Sequence, residues 1–124
     1  MTYASSYKEL IVWQKAIAVT IAIYAITSKF PRTEQFGLTS QMRRAAVSIA
    51  SNIAEGRSRG TRNDFAHFLQ IAFASGAELE TQIIIAKQLH ETAHLNYKIA
   101  DTLLEETMKI LNTFIHKIRM DPKS

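Results

Sequence analysis

The stretch LTSQMRRAAVSIASNIAEG, residues 38–56, decides the fold class. Leu38, Met42, Ala45, Ile49 and Ile53 recur at steps of four and three, which places one apolar stripe on a helix and leaves arginine, glutamine, serine and asparagine on the other side. Gly56 follows the last stripe residue and reads as a left-handed stop, so this helix is expected over residues 38–55.

Working outward, the preceding segment is expected to be helical over residues 7–29. Leu10, Gln14, Ile17, Ile21 and Tyr24, with Trp13 beside them, are read as its inward face, and Phe30-Pro31 as its end. Downstream, Thr61 and Asp64 read as a capping-box variant opening a helix over residues 62–92. Its stripe is Phe65, Phe68, Leu69, Ala72, Gly76, Leu79, Ile83 and Ala86, and Gly76 inside that stripe implies a close helix crossing. A turn near His94 to Asn96 leads to a helix over residues 96–119 carrying Leu104, Met108, Leu111, Ile115 and Ile118. Pro122 closes the chain. Four long amphipathic helices with short connections predict an all-α, antiparallel, up-down-up-down four-helix bundle in one domain, residues 1–124.

Composition agrees with a packed domain: 124 residues, 47% apolar and 21% charged. The absence of cysteine excludes a disulfide framework and thiolate zinc, and fits a reducing cytoplasm. Met1 to Ser6 is short and polar, without the charged and apolar regions of a secretory signal. The uncharged run Ala16 to Ser28 is shorter than the roughly 20 residues a membrane span needs. Val12, Val19, Ile23 and Ile26 on helix one, and Ile84 and Ile85 on helix three, exceed what one core seam requires. They are read as the contact faces of a homo-oligomer.

Arg43, Arg44, Arg57, Arg59 and Arg62 are five of the seven arginines, and within residues 43–62 only Glu55 opposes them. The segment EGRSRGTRND, residues 55–64, joins guanidinium forks to flexible glycines and a helix N-terminus, a combination suited to phosphate. The alternative is a solvated loop whose arginines pair with local acids. No aromatic interleaving or helix-turn-helix spacing is visible, so any nucleic-acid binding is expected to follow charge and shape. Asn52, Glu55, Glu78 and Glu80 read as a structural polar network, with Asn52 and Glu80 near the core edge, Glu78 further round, and Arg43 or Arg44 as partner. His90-Glu91-Thr92-Ala93-His94 matches the HExxH zinc hydrolase pattern, with His116, Glu105 or Glu106 as further ligands. It falls where helix three should end, so no metal, cofactor or catalytic group is assigned.

YKELIVWQKA at 7–16, FPRTEQFGLTSQMRRAAVSIASNIAEG at 30–56 and GAELETQI at 76–83 resemble the four-helix-bundle family encoded by intervening sequences of bacterial 23S rRNA genes (S23-like). The resemblance covers nearly all of residues 7–118. It implies a left-handed bundle and a ring-shaped homopentamer. It also implies a distant relation to the accessory protein of diversity-generating retroelements, which binds nucleic acid and partners a reverse transcriptase. By position, the family motif falls on Gln41, Arg43, Arg44, Ser48, Asn52, Glu55, Gly56, Glu78, Glu80 and Thr81. Ala50 stands where the family usually has proline, and Phe73-Ala74 where it often has arginine and glycine. The expected function is a non-enzymatic oligomeric module binding structured RNA or DNA through the basic hinge. The alternative is a scaffold docking a partner protein such as a reverse transcriptase, and zinc hydrolysis is the least expected.

Overall fold

The computed structural model describes residues 6–120; Pro122 and residues 1–5 of the stretch read for a leader lie outside them. Four helices follow in order: α1 (Ile11–Thr27), α2 (Leu38–Ser58), α3 (Arg62–Gln88) and α4 (Lys98–Met120). No strand occurs among the described residues. Each helix packs against two others, α1 on α2 and α4, and α3 on α2 and α4, while the diagonal pairs do not meet. With short connections this is the all-α, antiparallel, up-down-up-down arrangement.

The connections have local causes. The first expected helix is two pieces: a 3₁₀ turn, Tyr7–Glu9, capped by Ser6 and Glu9, and then α1 after Leu10 turns extended at φ −72°, ψ 128°. Residues six apart on an unbroken helix point apart. The break lets the Tyr7 ring meet Trp13 edge-on at 5.4 Å, and Gln14 Nε2 donates to Lys8 O at 3.0 Å. Between α1 and α2, Phe30 is buried, and Glu34 Oε1 accepts from Leu38 N at 3.0 Å, supplying the cap that Gly37 cannot. Thr61 Oγ1 accepts from Asp64 N at 3.1 Å and opens α3. After α3, Thr92 Oγ1 donates to Ala86 O at 2.6 Å and Tyr97 OH to Thr92 O at 2.9 Å, satisfying carbonyls at the helix end.

Helices α2, α3 and α4 bury the stripes expected of them, with Leu38, Phe65, Phe68 and Met108 only partly covered. α1 does the reverse of its reading. Val12, Ala16, Val19, Ile23 and Ile26 form the core, while Ile17, Ile21 and Tyr24 are exposed, Ile21 at 65%. α1 carries no acid and one lysine, so two apolar stripes of equal period compete. Polar side chains at the edges choose between them. Lys15 Nζ reaches Glu106 Oε1 on α4 at 2.8 Å, Thr20 Oγ1 donates to Ala46 O on α2 at 3.2 Å, and Thr27 meets Arg43 of α2. Only the rotation that turns the Val19 stripe inward satisfies all of them.

Gly56 is not a stop. α2 continues two residues beyond it, and the positive φ, +88°, belongs to Gly60. Gly56 is instead a contact point, because a Cβ there would come within 2.7 Å of Phe68 Cβ on α3. Gly76 is the close crossing expected of it, since a Cβ would run into Met108 Sδ of α4. α2 runs through Ala50 without interruption. α3 ends at Gln88 rather than 92, and α4 starts at Lys98 rather than 96.

Two stability contrasts follow. Ile23→Ala should cost about 2–5 kcal/mol in urea unfolding, whereas Ile21→Ala at low protein concentration should stay within about 0.5 kcal/mol. Gly56→Ala should destabilise by about 1–2 kcal/mol, because backbone-bound Phe68 Cβ cannot yield. Gly76→Ala should be near neutral, since Met108 can swing aside and alanine returns about 1 kcal/mol of helix propensity.

Candidate nucleic-acid interface

The up-down course brings the start of α1, the α2–α3 hinge and the end of α4 to one end of the bundle. Two contacts confirm it: the 3₁₀ turn Tyr7–Glu9 packs on α2, and Arg119 Nη1 donates to Gln70 Oε1 of α3 at 3.1 Å. Lys8, Arg57, Arg59, Arg62, Lys117 and Arg119 therefore gather against Glu9, Glu55 and Asp64. The remaining described residues carry eight lysines and arginines against seven acids. Most of the positive excess thus lies at this end, and half of its bases come from segments far from the hinge in sequence.

The hinge arginines are positioned rather than loose. Because α2 runs on to Ser58, Arg57 sits on the helix, half-buried and in contact. Arg59 caps α2, its Nε donating to Glu55 Oε2 at 3.0 Å and its guanidinium lying over the Phe68 ring at 5.0 Å from the centroid. Arg62 is the first residue of α3 and is also engaged. The Arg59–Glu55 pair is about half exposed on both sides, so it holds by well under 1 kcal/mol and a phosphate can displace it. The α3 N-terminus is less available than its sequence suggests: Thr61 takes the Asp64 amide, and Asp64 itself stands in the first turn.

Arg43 and Arg44 do not join this cluster. They lie about 20 Å up α2 at 1.5 Å per residue. Arg43 Nε donates to Thr27 Oγ1 at 2.9 Å, and its guanidinium lies over the Tyr24 ring at 4.4 Å, so it serves the α1–α2 seam. Arg44 is exposed.

The polar set is reorganised in the same way. Asn52 Nδ2 donates to Ser48 O at 2.8 Å and Ser48 Oγ at 3.0 Å, and Ser48 Oγ meets Ser75 Oγ of α3 at 2.8 Å. Glu55 turns to Arg59. Glu78 and Glu80 are exposed, and Glu78 only accepts from Gln82 Nε2 at 3.5 Å. The expectation of Glu80 near the core edge, with a helix-two arginine as partner, is therefore corrected: both helix-three carboxylates stand at solvent positions. The buried polar side chains are Thr27, Thr39, Gln82, Thr92 and Thr107. Sequence reading missed Thr27, whose hydroxyl donates to Ile23 O while accepting from Arg43. Its signal is a threonine one step beyond an apolar stripe.

The HExxH match loses its premise. His90, Glu91 and His94 lie exposed in the turns after α3 rather than on a helix. Thr92, the wild-card position, is the buried residue. Among the described residues no group of three or more histidines and acids is arranged to hold a metal.

Together these features define a small antiparallel four-helix-bundle protein with a cationic end. The chain belongs to the 23S rRNA-intervening sequence protein family, whose model matches residues 8–113. It is similar in fold to the crystal structure of a protein with unknown function from the S23 ribosomal protein family from Bacteroides thetaiotaomicron, at 21% identity and TM-score 0.68 over 89% of this chain and 100% of that chain. A search of curated proteins finds no match. Among the described residues no helix is long and apolar enough to cross a membrane.

Burial raises the Tyr97 phenol above its usual pKa. The folded state therefore holds that proton more tightly than the unfolded chain does. The Tyr97 contribution should be complete below about pH 10 and decline as pH rises through the raised folded value. Urea midpoints at pH 8 and pH 11 should show a smaller alkaline loss for Tyr97→Phe than for the native chain.

Proposed function

We propose that this protein is a non-enzymatic homo-oligomeric module that holds the phosphate backbone of structured RNA or DNA against its cationic end. The observation that carries the reading is the convergence of Lys8, Arg57, Arg59, Arg62, Lys117 and Arg119 at one end of the bundle while charge elsewhere nearly balances. Guanidinium groups suit phosphate oxygens, that of Arg59 is held only by a half-exposed ion pair, and recognition by such a surface follows charge and shape rather than base sequence.

Oligomerisation is supported by apolar side chains on opposite sides of the bundle. Ile17 and Ile21 are exposed on α1, and Ile84 and Ile85 on α3, two helices that do not touch each other. Different patches on opposite sides suit head-to-tail contacts, which close into a ring when the rotation permits, as in a homopentamer. A ring would repeat the cationic end and multiply its field.

A salt titration with an RNA duplex tests this. Affinity should fall steeply between low and physiological salt. Replacing Arg57, Arg59 and Arg62 together with alanine should weaken binding by at least tenfold and reduce the slope of log K against log salt by roughly three, with the oligomer mass unchanged in sedimentation. Undiminished duplex binding by that variant removes the hinge from the site. Salt-insensitive capture of a protein, with no duplex binding, favours the scaffold reading instead.

A further inference from the structure

About 20 Å from the hinge along α2, the fold builds a different kind of groove. It is a cleft of about 620 Å³, and Tyr24, Phe36, Ser40, Arg43, Arg44 and Val47 are the part of its lining that matters. These residues come from the end of α1, the α1–α2 connection and the first half of α2. Phe36 is 90% exposed, the most exposed large apolar side chain described, and Tyr24 is 43% exposed. No local structure requires a bare phenyl ring there: the turn is closed by Gly37 N donating to Glu34 O, and the α2 cap comes from Glu34.

The two arginines differ. Arg43 is held by Thr27 Oγ1 at 2.9 Å and more weakly by Tyr24 O at 3.5 Å, and it stacks on the Tyr24 ring. This fixes both the guanidinium and the ring. Arg44 lines the same groove and is exposed, and among the described residues it has no hydrogen bond, ion pair or ring contact. Arg57, Arg59 and Arg62 all have one. An arginine with all its donors unused therefore stands in one groove with two exposed aromatic rings, whereas the hinge arginines are engaged.

The geometry points to a binding groove for unpaired nucleotides of a nucleic-acid strand, with a base stacked on Phe36 and Tyr24 and a phosphate on Arg44. A π-face and an anion within one cleft are the two chemistries such a ligand presents. A purely apolar partner would leave Arg44 desolvated without a counter-charge. An inorganic anion alone would give the rings nothing to stack on. The Arg43–Tyr24 stack limits the loss of side-chain freedom on binding, and the cleft volume lies within the range of small-ligand sites. The inference rests on the proposed nucleic-acid role only for the class of polymer; its residues and its strand preference are separate.

The test uses the full chain at low salt with two fluorescein-labelled probes, a short oligouridylate and a blunt RNA duplex. Phe36→Leu keeps the apolar bulk and removes the π-face; Arg44→Gln removes the charge; the hinge triple variant is the third arm. Phe36→Leu and Arg44→Gln should each weaken oligouridylate binding roughly 5- to 100-fold and leave duplex binding within about twofold. Phe36 is so exposed that its replacement should not move the urea midpoint, which is measured alongside. Native-like oligouridylate binding by both groove variants overturns the proposal. So does a Phe36→Leu protein of altered oligomer mass and unaltered oligouridylate affinity, which would make the ring a subunit contact. If the groove variants lose the oligouridylate while the hinge triple still binds duplex, the groove stands and the hinge reading falls.

Discussion

The approach of α2 to α3 is the constraint on which the remaining structure depends. At Gly56 the two backbones come so close that one methyl group would collide with the root of Phe68. Ser48 and Ser75 meet at hydrogen-bond distance further along the same seam. Small residues make the close packing possible, and the packing carries α2 past its apparent stop, so that Arg57 and Arg59 lie on or against helix rather than in a floppy loop. Phe68, which Gly56 accommodates, is also the ring beneath Arg59. A larger residue at Gly56 would therefore disturb the core and the cationic surface together.

Charge and grease are distributed by the same topology. The up-down course gathers bases from three separate regions of chain at one end, and the α1–α2 connection sets Phe36 beside Arg44. Coulombic fields fade within about 8–10 Å at physiological salt, so spatial gathering and not sequence clustering decides what a phosphate meets. The two arginine groups that look continuous over residues 43–62 are thus two surfaces with different partners. One is a cationic patch at the end of the bundle whose hinge guanidinium groups are all engaged. The other is a single unpaired guanidinium among aromatic rings.

Three of the four helices were legible because each has one apolar stripe against a polar remainder. Met42, Ala45, Ile49 and Ile53 admit only one inward rotation, and so do Leu104, Leu111, Ile115 and Ile118. α1 was not legible, because its Ile17–Ile21–Tyr24 and Val12–Val19–Ile23 rows have the same period and similar hydrophobicity. The polar site was partly legible for a related reason. Asn52 and Ser48, one turn apart on one helix, form a local pair, whereas Thr27 with Arg43 and Thr92 with Tyr97 acquire meaning only from contacts between elements or across a turn.

The amino-acid sequence by itself determined the class of fold, the number of helices, the close crossing at Gly76 and the cap at Thr61. Each of these rests on interactions within a few residues or on one unopposed stripe. Tertiary structure alone decided which side of α1 is dry, that Gly60 rather than Gly56 takes the left-handed turn, and which arginines share a surface. Those outcomes depend on the distance of closest approach between helices and on the few polar side chains at their edges, and neither quantity is encoded in the spacing of residues along one helix.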